Sequence, residues 1–265
     1  MMGDIIINPY FFVAAASYDS DAQNYIDRVE AADGAALETT TKDAMNQLVL
    51  DLKGNSLWSS IYYCVPGCGP RTIEGGGELL QGGFSPILAA GNIRWDRKSG
   101  FAVNASSGAN YMDGSFTGIT ESSAGSRSNA SMSCWVESLG SGSCAYYAAN
   151  RMRLNRSSTS NRLITRNRSG TDDAGANDSD VTGFRGTSRS GASNYTRRVN
   201  SADATVTRTD SVLQFNNFRL FLNHDGTGQA PINTGVSWHH FGTALSLSTL
   251  QAVVSDYRAA IAAAF

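Results

Sequence analysis

From residue 67 onward, short apolar stretches are separated by Gly, Asn, Asp or Ser at intervals of roughly 8 to 12 residues. Such spacing is typical of β-strands joined by tight turns. Apolar and polar residues alternate in Met152–Leu154 and in Phe218–Leu222, so each of these strands is expected to pack one face inward. A long series of such strands predicts a closed sandwich of two antiparallel sheets rather than a parallel sheet.

The predicted strands are bounded by turn signals. They are Ile93–Trp95, Gly100–Asn104, Ser131–Glu137, Ala145–Asn150, Arg151–Asn155, Arg162–Arg166, Val181–Ser188, Ser193–Asn200, Ala204–Arg208, Val212–Gln214, Arg219–Asn223 and Val236–Gly242. The stretch Asn167–Asp180 is polar and has no apolar anchor except Ala174 and Ala176, so it is predicted to be a loop tip. Only 17% of the residues are charged, a composition that also favours strands and turns over helices.

Helical spacing of apolar residues marks the start of the chain. The first predicted helix runs from Asp19 to Asp33, with Ser20 as its N-cap and Gly34 as its end. The second runs from Leu37 to Lys53 and is expected to end at Gly54 in a left-handed cap.

Two further helices are predicted. A short one spans Leu57–Tyr62 and stops before Pro66. A terminal helix begins near a capping box of Ser248 and Gln251 and is expected to lie against the sandwich, with a subunit contact as the alternative. Its apolar stripe consists of Leu250, Val253, Val254, Tyr257 and Ile261. We therefore divide the chain into an arm with short helices at 1–66 and a sandwich with the terminal helix at 67–265.

Charges are unevenly spread along the chain. Acidic residues crowd the start, namely Asp19, Asp21, Asp27, Glu30, Asp33, Glu38, Asp43 and Asp51. Arginines crowd the later middle, namely Arg151, Arg153, Arg156, Arg162, Arg166, Arg168, Arg185, Arg189, Arg197, Arg198 and Arg208. This asymmetry could join copies of the chain or bind an acidic partner. The alternative is that the arginines solvate the outer faces of strands.

The first residues do not resemble a secretory signal, because Asp4 stands where positive charge is needed and Asn8 and Pro9 break the apolar stretch. No apolar run reaches the roughly 18 residues that a membrane-spanning helix requires. We therefore expect neither export nor membrane insertion.

The four cysteines do not form a disulfide framework in a chain of this length. Cys64 and Cys68 bracket Val-Pro-Gly, whereas Cys134 and Cys144 flank a Gly/Ser-rich turn and could close a hairpin. Because zinc sites prefer tighter pairs, buried free thiols are the expectation.

Catalytic motifs are sparse. The nearest approach to a nucleophile elbow, Gly186–Gly191, has the wrong spacing and no following helix. His239 and His240 would point to opposite faces of one strand, so one is expected to be packed and the other exposed. Glu74 and Glu78 lie in a glycine-rich loop rather than as a carboxylate pair on an inner strand face. The chain is therefore predicted not to be an enzyme and to need no cofactor.

The polar loop and the arginine-rich strands bear on two binding functions. A calcium ion could be held by the oxygen-bearing side chains Asp172, Asp173, Asn177, Asp178 and Asp180, although their spacing matches no EF-hand. Nucleic-acid binding is not expected, because the arginine-rich strands offer few stacking aromatics, with Phe184 and Tyr195 the main examples.

Several segments together resemble one protein family, and they follow one another along this chain in the same order as in that family. They are Arg28–Glu38, Lys42–Gly54 with Leu57 and Trp58, Gly69–Ile73, Asp96–Phe101, Gly183–Gly191 with Tyr195–Arg197, and the capped terminal helix. In these segments the chain is similar to phage-encoded virion proteins often found in phages of aquatic bacteria. It departs from that pattern at Glu74–Leu80, where an apolar run with a proline is usual, and at the additional Cys68.

The resemblance implies a mainly β, concanavalin- or laminin-G-like jelly roll of two antiparallel sheets, preceded by a helical N-terminal segment and closed by a C-terminal helix. It implies no catalytic residues and a place on the virion, assembled in the host cytoplasm, as a tail-associated or fibre component. A capsid decoration protein and a glycan depolymerase are the alternatives.

The partners implied are copies of the chain, other virion proteins and host surface polysaccharide, for which display in many copies would add avidity. The opening residues are expected to form an assembly arm that pairs with a neighbouring subunit; its apolar members are Ile5, Ile6, Ile7, Tyr10 and Phe11. Tyr111, Tyr146 or Tyr147 could stack on sugars, and the sequence does not select among them.

Overall fold

The computed structural model describes residues 17–82, 88–90, 92–104, 111–114, 128–140, 144–149, 152–156, 162–177, 182–211, 218–221 and 233–265. Several predictions fall outside these residues: the arm residues Ile5, Ile6, Ile7, Tyr10 and Phe11, the strand Val212–Gln214, and Asp178 and Asp180 of the calcium loop. Tyr111, Tyr146 and Tyr147 lie in strands whose backbone is described and whose side chains are not.

Helices occur at both ends of the described chain. They are α1 Ser20–Asp33, α2 Thr39–Gly54, the short α3 Ile73–Gly76 and α4 Leu247–Ala263, with a 3-10 turn at Trp58–Ser60. None of these helices is long and apolar enough to cross a bilayer.

The strands between them are short. They are β1 Ile61–Val65, β2 Leu88–Ala90, β3 Ile93–Asp96, β4 Gly100–Val103, β5 Tyr111–Gly114, β6 Ala130–Ser138, β7 Cys144–Ala149, β8 Met152–Arg156, β9 Arg162–Asn167, β10 Asp173–Asn177, β11 Gly183–Arg189, β12 Asn194–Val199, β13 Ala202–Thr207, β14 Phe218–Leu220 and β15 Gly235–Gly242.

These strands form two antiparallel sheets. The first sheet has the order β13-β12-β11-β6-β15-β4-β3, and β1 pairs with the part of β15 that β4 leaves open. The second sheet has the order β10-β9-β8-β7-β14-β5-β2. The predicted fold class is confirmed: a mainly β, two-sheet antiparallel sandwich with helices before it and one after it.

The central strands of the first sheet are buried on both faces. One apolar cluster lies between the two sheets and includes Val136 of β6 and Leu154 of β8. A second lies between the first sheet and the helices and includes Leu48, Trp238 and Val254. Because both faces are covered, all eight residues of β15 are buried, and the alternation of a half-exposed strand is absent there.

The apolar stripes predicted for α1, α2 and α4 are buried as expected, but some caps differ. The N-cap of α1 is Asp19, whose side chain accepts a hydrogen bond from the Asp21 amide, and Ser20 is the first helical residue. Gly34 ends α1 in the left-handed conformation, as predicted, with φ 65°. Gly54 is the last residue of α2 rather than a left-handed cap.

The terminal helix starts before its predicted capping box. Ser246 is the N-cap of α4, and its Oγ accepts a hydrogen bond from the Thr249 amide at 3.3 Å. The box assigned to Ser248 and Gln251 is therefore wrong. As predicted, α4 packs against the sandwich, on the outer face of the first sheet and beside α2.

Two local predictions are wrong because strand pairing overrides local sequence. The helix predicted over Leu57–Tyr62 is only the 3-10 turn, and its last residues begin β1, which pairs with β15. The loop tip predicted over Asn167–Asp180 contains β10, a polar edge strand whose backbone pairs with β9. β1 is covered on both faces and β10 is polar, so neither strand shows the apolar alternation of a half-exposed strand, and neither was recognised.

Carboxylates fasten the N-terminal helices to the loops of the sandwich. The Asp33 carboxylate accepts hydrogen bonds from the Arg71 and Thr72 amides at 2.7 and 2.8 Å. Glu38 accepts two hydrogen bonds from the Arg97 guanidinium, at 3.2 and 2.7 Å. The domain boundary at residue 66 stays a prediction, although β1, which precedes it, is part of the first sheet.

Candidate binding site

A polar cleft opens where the edge strand of one sheet faces the edge strand of the other. Its volume is about 550 Å³. Strands β9 and β10 form one wall and β12 and β13 the other. The lining residues are Arg162, Asp173, Ala174, Gly175, Arg197, Thr205, Val206 and Thr207. We call this group the edge cleft.

Alternation along β12 sends Arg197 into the edge cleft. Tyr195 faces the second sheet, where its hydroxyl lies 2.9 Å from Thr165 Oγ1, and Arg197 points the same way two residues later. Arg198 points to the other face, where its Nε donates to Gln251 of α4 at 2.7 Å. The same strand therefore supports a helix on one face and a binding cleft on the other.

An ion pair crosses the edge cleft between the two sheets. Arg197 Nη1 lies 2.5 Å from Asp173 Oδ2, and Arg208 Nη2 lies 3.6 Å from the other carboxylate oxygen. Gly175 provides the space for the Arg197 guanidinium, because a Cβ at Gly175 would lie 2.3 Å from Arg197 Nη1. Asp173 thus holds the Arg197 guanidinium by charge, and the missing side chain of Gly175 leaves room for it.

The charges around the edge cleft do not balance. Asp173 is a single carboxylate between the guanidinium groups of Arg197 and Arg208. Arg162 adds a third guanidinium, is exposed, and forms no ion pair with any carboxylate in the part of the chain that the structure describes. Among the residues that the structure describes, these groups therefore carry two positive charges in excess.

The neighbouring Asp172 is bound by a different pair of arginines. Its Oδ1 accepts hydrogen bonds from Arg153 Nε at 2.6 Å and from Arg166 Nε at 2.8 Å. Both aspartates of the predicted calcium loop that the structure describes are therefore occupied by guanidinium groups, which compete with a cation. Within the described ranges, no three His, Cys, Asp or Glu side chains are grouped to hold a metal ion. Calcium binding stays a prediction.

The interpretation that arginines cover outer strand faces is wrong for several of them. Arg168, Arg185 and Arg189 are fully buried. Arg189 Nε donates to the Asn167 carbonyl at 2.8 Å, and its Nη2 donates to the Arg208 carbonyl at 2.9 Å. Arg189 of β11 therefore ties the end of β9 to the residue that follows β13.

The two histidines that the structure describes give no accessible catalytic group. Both His239 and His240 are fully buried, so the prediction that one is exposed is wrong. Burial lowers the pKa of each imidazole to about 3. His240 Nδ1 lies 2.5 Å from Ser133 Oγ, as in a nucleophile and base pair, but the helices cover this face and Trp238 Nε1 also donates to the serine.

The cysteines Cys64 and Cys68 are buried free thiols, as predicted. Burial raises the pKa of Cys68 to about 12 and that of Cys64 well above its usual value. Cys134 is also buried.

A second cleft, of about 430 Å³, lies at the start of α4. Its polar groups serve the fold: Ser188 Oγ donates to the Leu245 carbonyl at 2.8 Å, and Ser246 caps α4. Asp203 is paired with Arg198 at 2.7 Å. The edge cleft is therefore the better candidate, because Arg162 is uncommitted there.

The sequence singled out Asp172 and Asp173, but as ligands of a calcium ion. It placed Arg162 and Arg197 in strands without bringing them together, and Gly175 carried no signal. The alternation of Tyr195 and Arg197 could have shown that Arg197 faces inward. Only strand pairing could show that Asp173 lies opposite it.

No family model and no curated protein matches this sequence. Among solved structures, the chain is similar to the botulinum neurotoxin serotype D binding domain, with 9% identity and a TM-score of 0.55 over 76% of this chain and 53% of that one. It is also similar to the binding domain of botulinum neurotoxin DC in complex with rat synaptotagmin II, with 11% identity and a TM-score of 0.51 over 75% and 52% of the two chains. The chain thus spans about half the length of these toxin chains, and the likeness establishes the sandwich fold.

Proposed function

We propose that this chain is a non-catalytic glycan-binding sandwich of a bacteriophage virion, and that the edge cleft is its binding surface. The observation that carries the glycan assignment is the edge cleft itself, an open polar groove between two sheet edges with a charged pair held across it. Polar groups fixed in advance of binding reduce the ordering cost that a flexible, hydroxyl-rich ligand imposes.

The position of the edge cleft suits display on a particle. The helices α1, α2 and α4 cover the outer face of the first sheet, whereas the cleft opens at the β10 and β13 edge. Attachment through the helical side would leave the cleft accessible. The two toxin domains that share the fold are named as binding domains, which agrees with a binding role.

A non-catalytic role is favoured over a depolymerase. Glycan hydrolysis needs two carboxyl groups on either side of the bond, roughly 5 to 9 Å apart. In the described lining of the edge cleft, Asp173 is the one carboxylate and it is paired with Arg197. The Ser133 and His240 pair is sealed between the first sheet and the helices.

The virion assignment is supported by the sequence resemblance. It includes Arg28–Glu38 and Gly69–Ile73, which contain the carboxylates and the arginine that fasten the helices to the sandwich. A tail-associated or fibre position is our first choice, and a capsid decoration protein is the second. Copies of the chain and other virion proteins would be its assembly partners.

Glycan binding is tested by filling the edge cleft from its two walls. Ala174→Leu and Thr205→Leu add branched side chains at exposed positions without offering a ring on which a sugar could stack. We expect each to weaken binding to host surface polysaccharide by about tenfold or more, which corresponds to about 1.4 kcal/mol. Thr40→Leu, at an exposed position on α2, is the matched control and should bind as the unchanged protein does.

Failure of the unchanged protein to bind host polysaccharide would remove the glycan assignment. Release of reducing ends from that polysaccharide would establish a depolymerase instead. For the virion, a reconstruction of the intact particle should show the chain at the tail. Density at capsid lattice sites would favour the decoration protein, and absence of the chain from purified particles would refute both positions.

A further inference from the structure

We infer that the ligand of the edge cleft is an acidic saccharide, one whose carboxylate is bound by Arg162. This inference rests on the proposed glycan binding and adds the chemical class of the ligand. It is drawn from the charge of the cleft: among the described residues, Arg197 and Arg208 pair with the carboxylate of Asp173, and Arg162 lines the same cleft without a carboxylate partner.

At the edge cleft, the ion pairs between described residues leave one arginine for a ligand. Asp173 is shared by Arg197 and Arg208, and Asp172 by Arg153 and Arg166. Arg162 lies on the cleft wall with no carboxylate partner among the described residues. A guanidinium presents parallel N–H donors that match the two oxygens of a carboxylate, so a carboxylate ligand would complete the pattern that the neighbouring pairs already show.

Arg197 is less suited than Arg162 to bind a ligand carboxylate, because β10 already engages its guanidinium. The Arg197 side chain is 11% exposed and lies over Gly175, with Asp173 at its Nη1. It contributes positive charge to the cleft and is already paired with Asp173. Arg162 is therefore the group that binds the ligand, whereas Arg197 makes the electrostatic potential of the cleft more positive.

The rim of the edge cleft favours a saccharide over a nucleic acid. Thr205 and Thr207 border it as exposed, uncharged polar residues. Single-stranded nucleic acid is bound on aromatic platforms, and no aromatic residue is among the lining residues that the structure describes. The ring of Tyr195 lies behind the cleft, buried, with the Arg189 guanidinium 5.3 Å from its centre.

The test compares each acidic polysaccharide with its own carboxyl-reduced form. Suitable probes are polygalacturonate, alginate and hyaluronate, with dextran as a neutral polymer, measured by titration calorimetry with the full chain. We expect the acidic form of at least one polymer to bind about tenfold or more tightly than its reduced form. Binding should weaken as salt rises, because the charges of an open cleft are screened.

Arg162→Gln should weaken binding of that acidic polymer about tenfold, and Arg162→Lys should retain part of it because charge remains without the paired donors. Arg94→Gln is the matched control, since Arg94 is also an exposed strand arginine but lies on β3, at the other edge of the first sheet. Equal binding of acidic and reduced polymers would overturn the inference while glycan binding stood. Binding to no glycan would overturn both, and tighter binding of a single-stranded oligonucleotide than of any acidic polymer would overturn the inference in favour of nucleic acid.

Discussion

Gly175→Ala tests directly how the edge cleft is built. A Cβ at this position would lie 2.3 Å from Arg197 Nη1, 2.4 Å from its Cζ and 2.9 Å from its Nη2. These atoms form the end of a flexible side chain, so the guanidinium moves instead of the backbone. In moving it leaves Asp173, with which it forms the ion pair across the cleft.

The free energy of unfolding should change little, because two effects oppose each other. Replacing Gly by Ala where the backbone permits it stabilises a protein by about 0.4–1 kcal/mol through the unfolded chain. The lost ion pair costs about 1 kcal/mol, since the two side chains are 11% and 23% exposed and border an open cleft. We therefore expect Gly175→Ala to lie within about 1 kcal/mol of the unchanged protein.

A double-mutant cycle with Arg197→Ala, followed by urea denaturation, separates the two effects. Once the guanidinium is absent, Gly175→Ala should show only its stabilising effect, so the coupling between the two sites should be about 1 kcal/mol. Gly191→Ala is the matched control, because a Cβ there meets nothing within 4 Å. If Gly175→Ala has the same effect with and without Arg197, the proposed displacement is refuted.

Three further predictions concern the rest of the fold. Gly100→Ala should lose about 2–5 kcal/mol of stability, since φ is 74° and backbone atoms lie 2.6–2.8 Å from the new Cβ. Gly34→Ala, at φ 65° with nothing within 4 Å of the new Cβ, should lose about 1–2 kcal/mol. Equal losses for the two variants in urea denaturation would contradict the cost assigned to the backbone contacts at Gly100. The hydrogen bond from Arg97 lowers the pKa of Glu38 from 4.5 to about 2, so the stabilisation from this carboxylate is present above pH 4.5 and is lost as pH falls toward 2. Glu38→Gln should therefore make the urea midpoint less dependent on pH over that range, and an unchanged pH dependence would argue against this role of Glu38. At pH 8 a thiol reagent should label Cys64 and Cys68 only after unfolding, as read by peptide mass spectrometry, and rapid labelling of the native protein would count against their burial.

The reliable part of the sequence prediction was local periodicity. The apolar stripe from Leu250 to Ile261 predicted α4, and the spacing of turn residues predicted most strands of the sandwich. Boundaries were less reliable, as at Ser246, because a cap depends on which hydroxyl reaches a free amide. Strand β10 was missed because a polar edge strand is formed by backbone pairing with β9, to which its side chains add no periodic signal.

The sequence by itself determined the two-sheet sandwich, most of its strands and the helices at either end, because the spacing of apolar and turn residues is a property of the chain itself. The tertiary structure alone decided which faces are covered. Helices on one side and the second sheet on the other bury both His239 and His240 and draw arginines inside. The tertiary structure also decided where the edge cleft forms. Asp173 and Arg197 lie 24 residues apart in the sequence and come into contact only because the edges of two different sheets face each other. Burial and proximity depend on what packs against a strand, and that is not encoded in the strand's own residues.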